Sequence, residues 1–454
     1  LEIAETVGGV CEEDLHWWGK DNNQKVINLC EINKPLQMFN LESFIAVHIT
    51  HRSESLFAGD LKRNHDILSR EISGKSVLVI GGAGTIGSSY IKVLLRYEPA
   101  RLIVVDISEN GLTELTRDLR SSNQLKVPPV FKTYPVNFGD PVFERILTGE
   151  GPFEIVANFA AHKHVRSEKD EYSITALLEN NVIKAERLLN SLNSLNSLNV
   201  LRHFFCVSTD KAANPVNIMG ASKKVMEEVI MAYSTLFPIT TARFANVAFS
   251  QGSLPDGFMK RMAKRQPLSA PSDVKRYFVS PAESGEICLL ACILGKSGDI
   301  FFPRLAEPQM LTFSEIAIAF LKEQGYEPVI CASEHEARSF FENRDTNLLP
   351  PHASRLTPHD PYPVYFFTSD TSGEKAYEEF YTQGEDVDLN TYESLGIVKN
   401  APRKPVAEIR QVIALLEETL RQPGITKAEI VKVLTRLIPG FDHIETGKNL
   451  DSKM

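Results

Sequence analysis

Val77-Leu78-Val79-Ile80 runs without a break into Gly81-Gly82-Ala83-Gly84-Thr85-Ile86-Gly87. Four apolar residues, three of them β-branched, read as a strand buried on both faces. The glycines that follow allow a tight turn and a close approach of phosphate to backbone. A helix that opens at Thr85 and Ile86 adds free N–H groups and the positive end of its dipole. Two spacings overlap here, Gly82-x-Gly84-x-x-Gly87 and Gly81-x-x-Gly84-x-x-Gly87. Such a motif alone is weak. This one follows a strand, opens a helix, and precedes Asp106, about twenty residues on at the end of a second apolar run. Together they point to a dinucleotide site built on Gly81, Gly84, Thr85, Ile86 and Gly87. Asp106 suits the adenine-ribose hydroxyls and repels a 2′-phosphate, so NAD is expected rather than NADP. Asn137, after the third strand, is placed to meet the adenine.

Outward from this turn the pattern alternates. Strands are expected at 76–80, 101–106, 130–136, 155–160 and 203–208, with helices at 86–97, 111–120, 143–147 and 177–192. That rhythm implies an α/β fold, a doubly wound parallel (Rossmann) sheet with a smaller mixed substrate-binding lobe. The expected domains are an N-terminal extension (1–70), a nucleotide-binding domain (71–250), a substrate lobe interleaved with the core (251–400) and a helical C-terminal segment (401–454). Within the extension, Trp17 and Trp18 and the run Phe44 to Ile49 suggest packing onto the main body, with Met38 to Ile49 as a strand. Asp60 to Ile72 has helical spacing. The Ser-Leu-Asn repeats of 191–199 read as a helix end, and Asn347 to Tyr365 as a long loop. Val406–Arg421 and Lys427–Leu437 read as two closing amphipathic helices, followed by a polar tail after Phe441 that frays.

The composition of the 454 residues is ordinary, 43% hydrophobic and 24% charged, and allows a large core. A net charge of −9 argues against nucleic acid as the main partner. Six cysteines are scattered without a Cys-x-x-Cys pair. Cys288 and Cys292 share a helix face but have no nearby histidines, so the core reading outweighs a metal site. Reduced thiols fit the cytoplasm. No apolar run approaches the ~20 residues that span a bilayer, and the acidic Leu1–Gly9 stretch does not read as a signal peptide.

Downstream, Ser208-Thr209-Asp210-Lys211 is followed by Met219-Gly220-Ala221-Ser222-Lys223. Thr209 offers a hydroxyl, Asp210 an acid and Lys211 a base. Ala160-Ala161-x-Lys163-His164-Val165, Arg243-Phe244-x-Asn246-Val247, Gly252-Ser253, Arg276-Tyr277-Phe278 and Gly373-Glu374-Lys375-x-Tyr377-Glu378-Glu379 flank this pair in order. The set resembles the extended short-chain dehydrogenase/reductase family. Within it, the set looks like the UDP-N-acetylglucosamine 4,6-dehydratase branch, the CapD-like polysaccharide biosynthesis proteins.

The resemblance implies the chemistry. A hydride leaves C4 of the hexose for NAD+, a base removes the acidified C5 proton, an acid protonates the departing 6-hydroxyl, and the hydride returns to C6. By resemblance Asp210 is the acid, Lys211 the base, and Thr209 the partner of the C4 oxygen. Lys223 holds the nicotinamide ribose, and Ala160 and Ala161 line the cofactor. The resemblance places Asn246 and Arg276 at the pyrophosphate, Ser253 and Leu254 near uracil, Lys163 and His164 in the sugar pocket, and Glu374 on the substrate. Gln251 stands where relatives often carry Arg. Met219 is the departure: a thioether cannot titrate, so it cannot deprotonate the C4 hydroxyl as the usual tyrosine does. Asp210 or a water held by Thr209 are the candidates for that proton. Members of the branch that carry Met are dehydratases, which implies retention at C5 and a role in bacterial surface polysaccharide synthesis, capsule or O-antigen. The family also implies a homo-oligomer.

Two other readings compete. A UDP-hexose 4-epimerase needs no C5 base or C6 acid, so the Asp210-Lys211 pair argues against it. A non-catalytic NAD- or UDP-sugar-binding protein would explain the lost tyrosine but not the retention of Thr209, Asp210, Lys211 and Lys223.

Overall fold

The computed structural model describes residues 39–164, 168–196, 199–345, 360–370, 372–375 and 377–447, with 342–345 as backbone only. The chain divides into units Leu1–Phe39 and Asn40–Met454, and the second is described here. Trp17 and Trp18 lie outside the described residues.

The first strand, β1, is Ser76–Ile80, with all but Ser76 buried. It pairs in parallel with β2 (Arg101–Asp106) on one side and β4 (Ile155–Asn158) on the other. β3 (Val130–Pro135) extends the sheet beyond β2, and β5 (His203–Val207) and β6 (Ile239–Ala242) extend it beyond β4. Ile300–Pro303 joins β6 in parallel, and Leu395–Lys399 and Asp386–Asp388 close that edge antiparallel. The order around the first strand, 3-2-1-4-5-6, is that of the doubly wound Rossmann fold, with its crevice at the carboxyl ends of β1 and β4. Helices cover both faces, which explains why the central strands read as unbroken apolar runs. Cys288 and Cys292 are buried in the helix Pro281–Leu294, which packs against Thr85–Leu95.

The expected helices appear, and most extend further. Pro141–Glu150 outruns the expected five residues because Pro141 suits a first turn. The long helix runs from Glu171, capped by Asp170, to Leu195, through a π-helical turn at Glu179–Ile183. It absorbs the first Ser-Leu-Asn repeat and part of the second, while 197 and 198 lie outside the described residues.

Three expectations need correction. Residues 41–50 are helical, not a strand. Asn40 caps the turn through the Ser43 N–H, and Phe44 packs edge-on against Phe249 and Phe320. An apolar run of that length fits either state, and the cap decided it. Pro361–Phe367 is a strand between Glu327–Cys331 and Leu268–Pro271, with Tyr362 and Val364 fully buried; 347–359 lie outside the described residues. Its prolines at 361 and 363 argued against a strand in an otherwise apolar run. The polar tail does not fray over 441–447. Ile444 N–H donates to Val216 O (3.0 Å), His443 Nε2 meets Glu168 Oε2 (3.1 Å) and the Ser372 hydroxyl donates to Glu445 Oε1 (2.8 Å).

Asp60 ties the segment before β1 to the far edge of the sheet. Its buried carboxylate accepts the N–H groups of Glu393 (3.0 Å) and Ser394 (2.9 Å). Two helices, Val406–Leu420 and Lys427–Leu437, pack on Ile218–Tyr233 through Ile409, Ile413, Leu416, Ile430 and Leu434. Among the described residues no helix is long and apolar enough to cross a membrane.

Candidate active site

Two neighbouring cavities open at the carboxyl ends of β1, β4 and β5. The first, of about 250 Å³, is walled by Gly81, Gly84, Thr85, Ile86, Gly87, Asp106, Asn137, Ala160 and Ala161. The glycines are required by geometry. Gly81 has φ +75°, and a Cβ there would stand 2.5 Å from Ala160 N; one on Gly87 would stand 2.3 Å from Gly81 O. The turn therefore keeps a cradle that any side chain would fill. The helix Thr85–Leu95 starts beneath it with no side-chain cap, so its N-terminal N–H groups face the cavity. Asp106 is fixed at the end of β2 by the N–H of Ala83 (3.0 Å) and of Ser108 (2.9 Å). Asn137 accepts from Lys184 Nζ at 3.2 Å. A cradle for a diphosphate with a held carboxylate for a ribose diol fits a dinucleotide.

The second cavity, of about 330 Å³, shares Ile86, Phe159, Ala161 and Lys163 with the first. Thr209, Lys211, Met219, Lys223, Lys163, His164, Asn246, Ser253, Leu254, Arg276 and Glu374 all line it. Every expected catalytic residue but one is on the wall. Asp210 stands one layer back, 4% exposed. Its Oδ1 receives the Thr209 hydroxyl (2.7 Å), the Lys211 N–H (2.9 Å) and the Lys211 ammonium (3.1 Å).

The helix Ile218–Tyr233 carries Met219 and Lys223 one turn apart. Asn217 caps it through the Gly220 N–H (2.6 Å) and donates to Gly373 O (2.8 Å), which fixes the Gly373–Glu374 turn on the helix start. Gly373, at φ +70°, has no room for a side chain, since a Cβ would meet Asn217 Cβ at 2.4 Å. The Met219 N–H donates to buried Glu168 (3.2 Å), the residue that also meets His443. Lys223 is 4% exposed and donates to Val207 O (3.0 Å). Burial holds its ammonium below the usual lysine range, against the pull of Cys206 and Glu227. Burial likewise lowers Lys163, which Asp256 partly offsets.

Arg276 is buried. Its Nη1 donates to Lys275 O and Lys375 O, both at 2.9 Å, while Nη2 lies 3.5 Å from Glu374 and 4.0 Å from Glu378. Gln251, the departure from the family pattern, gives its N–H to the Thr85 hydroxyl (3.0 Å) and so links the two cavities. His162 and His164 follow β4 in a loop, and among the described residues no His, Cys, Asp and Glu side chains gather into a metal-binding group. Sequence reasoning did not single out Glu378, which lines the cavity beside Lys211. In the folded chain Tyr377 and Glu379 are exposed on either side and Glu378 turns inward, which residue type alone does not signal.

The chain is 30% identical over 270 residues, 58% of its length and 76% of the relative, to an uncharacterized membrane protein of Methanocaldococcus jannaschii. It is 27% identical over 313 residues to the capsular polysaccharide biosynthesis protein CapD of Staphylococcus aureus, 63% of this chain but 49% of that relative. Over 243 residues it is 27% identical to an inverting UDP-N-acetylglucosamine 4,6-dehydratase of Campylobacter jejuni, covering 51% of this chain and 68% of the relative. Among solved structures, Pen from Bacillus thuringiensis matches with a TM-score of 0.56 at 18% identity, over 77% of this chain and 99% of that one, a likeness of fold. A single family model, polysaccharide biosynthesis protein, matches residues 77–339, well over half of the sequence, and the chain belongs to that family.

Proposed function

We propose that the protein is an NAD-dependent UDP-N-acetylglucosamine 4,6-dehydratase that retains configuration at C5 and serves surface polysaccharide synthesis. The observation that carries this reading is the Thr209–Asp210–Lys211 cluster facing a cavity that adjoins the glycine cradle. Bound NAD+ would supply the hydride acceptor at C4 and the hydride donor at C6. The residues handle the protons. Thr209 donates its hydroxyl proton to Asp210 at 2.7 Å, which leaves the Thr209 oxygen as acceptor for the C4 hydroxyl. The C4 proton enters this relay as the Thr209 proton crosses to Asp210, and the relay later runs backward to the departing 6-hydroxyl, which leaves as water. Lys211 removes the C5 proton and returns it from the same face, which retains the configuration. The relay accounts for turnover without a tyrosine at position 219.

Asn246 and Arg276 face the diphosphate, where a planar guanidinium suits phosphate oxygens. Glu374 suits ribose hydroxyls, Ser253 and Leu254 the uracil, and Lys163 and His164 the sugar. Lys223 approaches the nicotinamide ribose. Incubation with UDP-N-acetylglucosamine in D2O, followed by NMR, tests the reading. A 4-keto-6-deoxy product with deuterium at C5 and unchanged C5 configuration is expected. A C4 epimer without loss of water would establish the epimerase instead.

Two further outcomes follow from the same geometry. NAD(H) should bind more tightly than NADP(H), because a 2′-phosphate would press on the fixed Asp106 carboxylate. Equal or stronger binding of NADPH in a titration contradicts the assignment. Met219→Ala should keep kcat within about tenfold of the parent, since no proton-transfer step worth ~10²–10⁴ is removed. A thousandfold loss, with fold and NAD content intact, would give the thioether a specific role.

A further inference from the structure

A C5 base must be a neutral amine, yet Lys211 Nζ lies 3.1 Å from Asp210 Oδ1 and 3.8 Å from Glu378 Oε1. The two carboxylates are not alike. Asp210 Oδ1 already receives three donors. The nearest cations to Glu378 stand at 3.8 Å (Lys211) and 4.0 Å (Arg276), outside hydrogen-bond distance. It is 6% exposed and still lines the cavity. Lys211 and Asp210 face it from the segment after β5, Arg276 from the strand Lys275–Arg276, and Lys375 from its own segment. Glu374 lies across Arg276. Burial lifts the Glu378 carboxyl above its usual range; Lys211 opposes this, Asp210 adds to it, and Arg276 and Lys375 oppose it more weakly.

We propose that Glu378 is the positioning residue of Lys211: it takes the ammonium proton when a sugar covers the cavity and returns it when product leaves. The proposal rests on the dehydratase reading and names the group that arms its base. In the open cavity water can reach the edge of both side chains. A sugar displaces that water, and a desolvated pair costs less as neutral amine and neutral acid. The 3.8 Å gap is about 1 Å beyond hydrogen-bond distance, a shift within reach of either flexible side chain. The proton leaves Lys211 Nζ for Glu378 Oε1 and frees the nitrogen lone pair. That nitrogen takes the C5 proton and, after the hydride reaches C6, delivers one of its three equivalent protons to C5. Glu378 then restores its own proton to the amine. The cycle closes with no net proton gained.

The test compares Glu378→Gln, which keeps the shape and cannot accept the proton, with Glu378→Asp in the full chain. For Glu378→Gln, kcat should fall about 100-fold, the scale of one proton-transfer step, with KM for UDP-N-acetylglucosamine within about threefold. The parent's acidic limb of kcat, which reports ionisation of Glu378, should disappear, and Glu378→Asp should recover part of the rate. A second readout needs no dehydration: acetylation of Lys211 in the complex with UDP-xylose, whose sugar covers the cavity but has no 6-hydroxyl to lose, followed by mass spectrometry of its peptide. The parent should react at least ten times faster than Glu378→Gln. Parental kcat and pH profile in Glu378→Gln, or equal acetylation in the two, would overturn the proposal and leave the dehydratase reading standing. If the parent forms no 4-keto product but the acetylation difference remains, the dehydratase reading falls and the Glu378–Lys211 coupling stands.

Discussion

Lys211→Ala and Asp210→Asn are each expected to lower kcat for dehydration by ~10²–10⁴-fold while UDP-sugar affinity stays within about threefold. In the proposed mechanism both side chains act on protons that move only in the transition state, so binding would be spared. The geometry adds a third member. Asp210 is set behind the cavity wall, and in the proposed relay it would reach the substrate through the Thr209 hydroxyl, 2.7 Å away. Thr209→Val should therefore fall as far as Asp210→Asn, and Thr209→Ser should recover most of the loss. Steady-state kinetics with calorimetric UDP binding on all four variants decides it. Near-parental turnover in Lys211→Ala or Asp210→Asn removes the acid–base assignment. A silent Thr209→Val with a dead Asp210→Asn removes the relay alone.

Glu227→Leu is expected to cost about 3–5 kcal/mol of folding stability, the penalty for breaking a buried ion pair. Fully buried Arg243 is held by Glu227 (Nε–Oε1 2.8 Å, Nη2–Oε2 2.7 Å) and by Glu385 (2.9 and 2.8 Å), and Glu227 also accepts the Ser208 hydroxyl at 2.7 Å. Losing Glu227 leaves the guanidinium half-paired away from water and unties the residue before Thr209. Burial by itself raises the Glu227 carboxyl, but Arg243 outweighs it, and the net shift is downward. The fold thus favours the ionised form. This part of the stability is complete above the ordinary carboxylate value of 4.5 and fades as pH falls through the lower folded value. Urea midpoints of parent and variant at pH 7 and at pH 4 measure it. A variant within about 1 kcal/mol of the parent at pH 7 would show that Glu385 alone satisfies Arg243.

The parts of this fold legible in the sequence are those where one residue type has one physical use. β1 and β2 were read to the residue because strands buried on both faces admit only apolar side chains. The glycine turn was legible because φ +75° at Gly81 and the contact at Gly87 exclude other residues. Phe44 to Ile49 misled because an apolar run satisfies a strand or a buried helix equally, and only the Asn40 cap separates them. The clustering of candidate residues was legible wherever they sit in one short motif, as with Thr209, Asp210 and Lys211. Glu378 was not, since its partners Lys211 and Arg276 are distant in sequence and meet it only in the folded chain.

The C-terminal stretch 441–447 reaches the site from behind. His443 meets Glu168, which takes the Met219 N–H, while Glu445 and Thr446 bind Ser372 beside the Gly373–Glu374 turn. These contacts are made by the last described residues to be synthesised. A growing chain that has completed Leu395–Lys399 already owns every strand of the sheet and the glycine cradle, but its Gly373–Lys375 turn still lacks that tether. The two halves of the site therefore mature in order during synthesis. The glycine cradle comes first, and the second cavity is braced only when residues 441–447 dock.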